Sequence, residues 1–119
     1  MEDRKLGAVE ARFADMIWEH APVSSAALAA MALETLQWKK STTYTVLKRL
    51  CDKGLFSNEQ GTVKVLVSRE EYYAMQSEKF VEDTFCGSLP AFLAAFSSRK
   101  KLTQEQIDEL QRIIDEMRG

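Results

Sequence analysis

Residues 38–54 read WKKSTTYTVLKRLCDKG, and this stretch decides the fold. It carries five basic residues, Lys39, Lys40, Lys48, Arg49 and Lys53, against a single acid, Asp52. The whole chain of 119 residues has 16 Lys and Arg against 18 Asp and Glu. Continued to Arg69, the segment gains Lys64 and Arg69 and one further acid, Glu59, so positive charge collects in residues 38–69 and negative charge in the rest. A near-neutral chain sorted in this way presents a local positive field that its net charge hides.

At 100° per residue, a helix from about Ser41 to Lys53 has two unlike sides. Thr43, Val46, Leu47 and Leu50 fall together and predict the core face. Ser41, Thr42, Tyr44, Thr45, Lys48, Arg49 and Asp52 fall on the opposite arc. A solvated helix face commonly sets Glu against Lys for i,i+4 pairing, and this arc has no acid before Asp52. Hydroxyls in the first turn and cations beyond it suit a helix that reads base edges with one end and phosphates with the other. Gly54 ends it at a left-handed position. The plain alternative is a solvated basic face with no ligand.

Working outward, the segments on either side give this helix a context. Upstream, Val9, Phe13, Met16 and Ile17 make the stripe of an amphipathic helix that ends at Pro22, and Ser24 or Ser25 caps a second, Ala-rich helix. Downstream the period changes to that of strands. Leu55–Ser57 and Val63–Val67 flank Asn58-Glu-Gln-Gly61 and predict a two-stranded hairpin. Three helices and a hairpin follow the order of a winged helix-turn-helix domain, expected over residues 1–68, with Lys64 as a backbone contact from the wing.

Residues 69–119 return to helical period and predict a second, all-helical region, so the fold class is mainly α. Ser68 to Glu71 and Thr103 to Gln106 have the form of capping boxes, and Pro90 is tolerated in a first helical turn. Tyr72, Tyr73, Met75, Phe80, Val81 and Phe85 cover more than one face of the first of these helices. Leu89, Phe92, Leu93 and Phe96 form one stripe, and Ile107, Leu110, Ile114 and Met117 form another close to a heptad seam. That is too much apolar surface for a tail of about 50 residues to bury alone. A homodimer is the expected remedy, with Tyr73, Phe80, Leu89, Phe92, Leu93, Phe96, Ile107, Leu110 and Ile114 at the contact.

Other chemistries are poorly supplied. His20 is the one histidine, the two cysteines Cys51 and Cys86 form no CxxC, and no glycine-rich phosphate loop is present, so neither an enzyme nor a metal or cofactor site is expected. No apolar run reaches the ~20 residues of a membrane span, and the opening MEDRKLGAVE lacks the form of an export signal, which predicts a cytoplasmic protein with free thiols.

The stretch from Leu36 to Ser68 resembles the winged-helix segment of the penicillinase-repressor (BlaI/MecI-type) family, at Trp38, Thr42, Thr45, Leu47, Arg49, Leu50, Lys53 and Gly54. The resemblance extends upstream through LGAVEARFADMIW and downstream through FVEDTFCGSLPAFLAAF and LTQEQIDELQRIIDE. It implies a transcriptional repressor that dimerises through its C-terminal helices and binds palindromic operator DNA. On that reading Trp38, Lys39, Lys40, Ser41, Thr42, Tyr44, Thr45, Lys48, Arg49 and Lys64 form the DNA surface, with Arg49 alternatively bracing its helix through a buried acid. It further implies relief by cleavage near Ala95–Phe96, triggered by a membrane sensor protease, although Ala95 stands where β-lactam-responsive members often have Asn. Lys40 and Ser41 replace a frequent Pro and Lys at the start of the helix, which points to a different operator. Two alternatives stand beside this reading: a winged-helix regulator gated by a ligand or a thiol, and a winged-helix adaptor that touches no DNA.

Overall fold

The computed structural model describes residues 5–119; the first four, on which the reading of the N-terminus as lacking an export signal partly rests, lie outside it. The order is α1 (Ala8–His20), β1 (Val23–Ser24), α2 (Ser25–Thr35), α3 (Lys40–Asp52), β2 (Phe56–Glu59), β3 (Thr62–Val65), α4 (Arg69–Phe85), α5 (Leu89–Arg99) and α6 (Gln104–Met117). Contacts divide the chain into two compact units, one reaching to Gln76 and the other running from Ser77 to Gly119.

The first unit is a winged helix-turn-helix around one apolar core. Phe13, Ala14 and Ile17 of α1, Leu28 and Ala32 of α2, and Val46, Leu47 and Leu50 of α3 meet there, closed by Leu55, Phe56 and Val63 from the wing and by Tyr72 from α4. The core face expected of α3 is the buried one: Thr43, Val46, Leu47 and Leu50. In α1 the stripe differs. Val9, one turn before Phe13, is half exposed, and Ala14 is buried beside Phe13 and Ile17 instead.

The turn that joins α2 to α3 places Gln37 in the left-handed region at φ 57°, and the Trp38 amide reaches back to the Ala32 carbonyl at 3.3 Å. Ser24, the first of the two serines considered, caps α2 by accepting from the Ala27 amide at 3.0 Å. Gly54 takes the positive φ (82°) expected after α3.

The wing is larger than the sequence showed. β1 pairs with β3 through Val23–Val63 and Ser24–Thr62, so the sheet has three antiparallel strands in the order β1-β3-β2 rather than the two of a hairpin. A two-residue strand has no alternation to read, which is why Val23 and Ser24 looked only like a link between helices. The hairpin loop is also tighter than the expected four residues. Pairing runs to Glu59–Thr62, leaving Gln60 and Gly61 as a two-residue turn, both at positive φ (54° and 86°). The Asn58 side chain accepts from the Gly61 amide at 3.1 Å and the Gly61 carbonyl accepts from the Ser25 amide at 2.8 Å, so the turn is tied to both the wing and α2.

The first two turns of α4 belong to this unit, past the boundary expected at residue 68. Arg69 pairs with Asp15 at 3.1 Å and lies over the Trp18 ring at 5.7 Å, while the Trp18 indole donates to the Val67 carbonyl at 2.9 Å. Tyr72 is buried, and its hydroxyl accepts from the Leu6 amide at 3.0 Å. The expected capping box forms: Ser68 and Glu71 exchange side-chain-to-amide bonds of 3.1 and 3.3 Å.

The second unit is the end of α4 with α5 and α6. Cys86 and Gly87, at φ 51° and 79°, turn the chain between α4 and α5, and a Cβ on Gly87 would come within 3.0 Å of the Glu82 carboxylate. Ser88 caps α5 through the Ala91 amide, with Pro90 in the first turn as expected. Thr103 and Gln106 form the second expected capping box at the start of α6. Phe80, Phe85 and Phe92 stack edge to face with centroids 5.7–6.0 Å apart, and Phe96 continues the row at 6.2 Å from Phe92. Yet no side chain from Ser77 to Gly119 is buried.

Candidate nucleic-acid interface

The exposed face of α3 carries Ser41, Thr42, Thr45, Lys48 and Arg49 in solvent. This is what its composition requires: the apolar residues at 46, 47 and 50 claim the opposite side, and a helix of this length can bury only one stripe. Thr45 donates its hydroxyl to the Ser41 carbonyl at 2.9 Å. That bond spends the proton and fixes the side chain. An oxygen able to accept and a methyl group remain for a base edge, the chemistry that meets an exocyclic amine or a thymine methyl.

Two of the ten expected contacts are drawn to the edge of the core. Trp38 is half-buried with its ring 5.2 Å from Phe13, and Tyr44 packs partly against the same cluster. Their sequence positions next to the polar arc did not reveal this, because an aromatic ring at the rim of a core presents one edge to each side. Tyr44 also lines a shallow cleft of about 330 Å³ with Leu47, Lys48, Cys51 and Asn58, between α3 and the wing.

The cations of α3 and the wing sort into three groups. Lys39 and Lys40, at the N-terminal end of α3, have no acidic partner among the described residues. Lys48 meets Asp52 at 3.4 Å with both side chains largely in water, and Lys64 meets Glu59 across the wing at 3.1 Å. Pairs this exposed are worth about 0–1 kcal/mol and yield readily to a phosphate. Arg49 and Lys53 instead converge on Glu10 of α1, at 3.4 and 3.7 Å. Glu10 is anchored: its Oε1 also accepts from the Gly7 amide at 3.1 Å, and its side chain is only 19 % exposed. Burial pushes the Glu10 carboxyl upward, but the Gly7 amide, Lys53 and Arg49 outweigh it and hold the group below its ordinary value. Arg49 thus meets an acid, as the bracing alternative expects, but a half-buried one rather than a buried one, and the excess of charge read from residues 38–69 is partly matched by Glu10 and by Asp15 on α1. No local pattern in the sequence pairs residue 10 with residues 49 and 53; the fold does.

Cys51 is half-buried and its thiol is pushed up by burial and by Asp52; Cys86 is exposed, and both are free. Among the described residues no group of three or more metal-ligating side chains occurs, and no helix is long and apolar enough to cross a membrane.

The expected dimer residues fall into three settings. Tyr73 lies in the first unit, its ring 6.2 Å from Trp18 and 5.0 Å from Tyr72. Phe92, Leu93 and Leu110 are half-buried, and with Phe96, Leu102 and Ile113 they line an apolar groove of about 260 Å³ between α5 and α6. Phe80, Leu89, Phe96, Ile107 and Ile114 are exposed. The stripe expected on α6 therefore divides: Leu110, with Ile113, turns toward α5, whereas Ile107, Ile114 and Met117 stand in solvent, Met117 at 80 %.

A polar, open α3 face with hydroxyls at one end, and lysines beside them that have no acidic partner among the described residues, places the molecule in the class of winged helix-turn-helix proteins. The sequence pattern of the penicillinase repressor family matches residues 6–116, and the chain belongs to that family. It is 27 % identical over 105 residues to the penicillinase repressor of Bacillus licheniformis, covering 85 % of this chain and 82 % of that protein.

Proposed function

We propose that the chain is a dimeric transcriptional repressor that grips a palindromic operator with two copies of α3 and the wing. The observation that carries this reading is the α3 surface of a penicillinase repressor family member: Ser41, Thr42 and Thr45 are exposed along one arc, and Lys39 and Lys40 beside it have no acidic partner among the described residues. The hydroxyl residues read bases. Lys39, Lys40, Lys48 and Lys64 neutralise phosphates, and Trp38 and Tyr44 set the helix from its inner edge. Dimerisation is supported by the second unit, where a cluster of four phenylalanines and the α6 stripe bury no residue within one chain. Two copies place two recognition helices on two half-sites.

Relief of repression follows from the same arrangement. Cleavage at Ala95–Phe96 by a sensor protease in the membrane cuts α5 in its last turns and releases α6 with Ile107, Ile114 and Met117. Both residues are exposed, and the Ala95 carbonyl accepts from the Ser98 hydroxyl at 2.7 Å within the helix, so that turn must open before it can enter a protease. The raised Cys51 thiol weighs against Cys51 as the gate of a thiol-switched version, since it is the thiolate that reacts.

The test is sedimentation of the full chain together with binding to duplex DNA selected from a random pool. A dimer at tens of micromolar that enriches a palindrome is the expected result. A monomer overturns the dimer, and a chain that ignores duplex DNA at low salt is the adaptor instead.

A further inference from the structure

We infer that Glu10 of α1 is a specificity-determining residue of the DNA surface, holding Arg49 and Lys53 off the phosphates so that affinity rests on base reading more than on charge. The inference rests on the DNA-binding reading above and adds a residue that lies outside α3 and the wing. Its basis is geometric. One carboxylate, fixed by the Gly7 amide at 3.1 Å, faces two cations from the C-terminal end of α3: Arg49 Nη1 on Oε2 at 3.4 Å and Lys53 Nζ on Oε1 at 3.7 Å. Lys53 is held a second time, donating to the Lys5 carbonyl at 3.1 Å, and is 17 % exposed. Among the described residues Arg49 has no second anchor of this kind, and it is 54 % exposed, on the flank of α3 that adjoins the polar arc. Arg49 is therefore the cation that the carboxylate restrains and that its loss would free.

Non-specific affinity comes almost wholly from cations that displace counterions, whereas base contacts set discrimination. A fixed acid beside α3 lowers the first and leaves the second. Without it the cluster passes from one net positive charge to two, and Arg49 can turn to the backbone.

The experiment compares the full-length chain with Glu10→Gln and Glu10→Asp, each shown to be folded by its near-ultraviolet circular dichroism, on a random duplex and on the selected palindrome over a range of salt. Glu10→Gln is expected to bind the random duplex about two- to fivefold more tightly, the effect of one exposed ion pair. Its salt dependence steepens by about one unit of slope, and its preference for the palindrome falls by the same factor. Adding Arg49→Ala removes the extra unit. Glu10→Asp, which keeps the charge, stays near the wild type. An unchanged slope in Glu10→Gln overturns the inference, as does weaker binding to both duplexes, which makes Glu10 a brace for the fold alone. Glu10→Asp behaving like Glu10→Gln overturns it too, since charge is then not the cause. A wild-type chain that binds neither duplex removes the DNA reading itself, and this inference with it.

Discussion

The two units of this protein treat apolar surface in opposite ways. The unit that ends at Gln76 closes Phe13, Ile17, Leu28, Leu47, Leu50, Phe56 and Val63 completely from water. The unit that begins at Ser77 has aromatic and aliphatic side chains in plenty and buries none. One has its partners within the chain; the other has the composition of half a core. A set of three helices with this exposure gains stability in water when something covers it, and on the proposed reading a second copy does so with matching stripes. On the proposed reading the difference separates two jobs: the first unit carries its own core, so the grip of the dimer can change without touching the α3 surface.

The largest effect expected from this comparison is that of removing α6. A chain ending at Ala95 keeps the first unit folded, visible in the near-ultraviolet signals of Trp18 and Trp38 within it. Its affinity for a palindrome falls by about 10²- to 10⁴-fold, because the second half-site contact ceases to be intramolecular. Binding as tight as that of the full chain would mean the C-terminal helices are not the switch.

A pair of core substitutions sharpens the contrast. Phe13→Ala removes a ring that is fully enclosed and packed on Trp38, and is expected to destabilise the first unit by about 3–5 kcal/mol at any protein concentration. Phe92→Ala, in the half-exposed cluster, is expected to act mainly on the dimer, so that its melting temperature varies with concentration more steeply than the wild type's. If both variants lost stability independently of concentration, the second unit would be a core of its own.

Within the DNA surface the effects are smaller. Thr45→Ala removes the hydroxyl that the proposed reading sets against a base edge and is expected to cost about 1–3 kcal/mol on the operator and little on random duplex. Lys64→Ala removes a wing cation and is expected to weaken both equally, with a salt slope flatter by about one unit. A slope that does not change would remove the wing from the interface.

How much of this was legible beforehand follows a physical line. Elements written in local pattern were readable: the buried side of α3, the capping boxes at Ser68 and Thr103, the glycine that ends α3, and the apolar excess of the tail. Features made by distant residues were not. β1 exists because Val23 and Ser24 find Val63 and Thr62. Trp38 packs on Phe13, and Arg49 and Lys53 pair with Glu10 on α1, contacts that no local pattern encodes. Charge counted along the chain overstated the positive surface for that reason, and composition alone could not say which side of α6 meets α5.

The smallest effect concerns that same cluster and is read in acid. In the folded chain the Glu10 carboxyl lies below its ordinary value of 4.5, the Gly7 amide and the cations Lys53 and Arg49 outweighing the upward push of burial. A carboxyl depressed on folding contributes stability that is complete above its unfolded value and is lost as pH falls through its folded one. The contribution is therefore present at neutral pH and disappears below about pH 4.5, with a size of less than about 1 kcal/mol for pairs that are partly exposed. Denaturation of the wild type followed from pH 6 to pH 3 is expected to show a steeper loss of stability than that of Glu10→Gln, with the two curves drawing together at the acid end. Parallel curves would mean that the ion pairs across α1 and α3 contribute nothing to the fold. The carboxylate would then matter only for where the charge of α3 is placed.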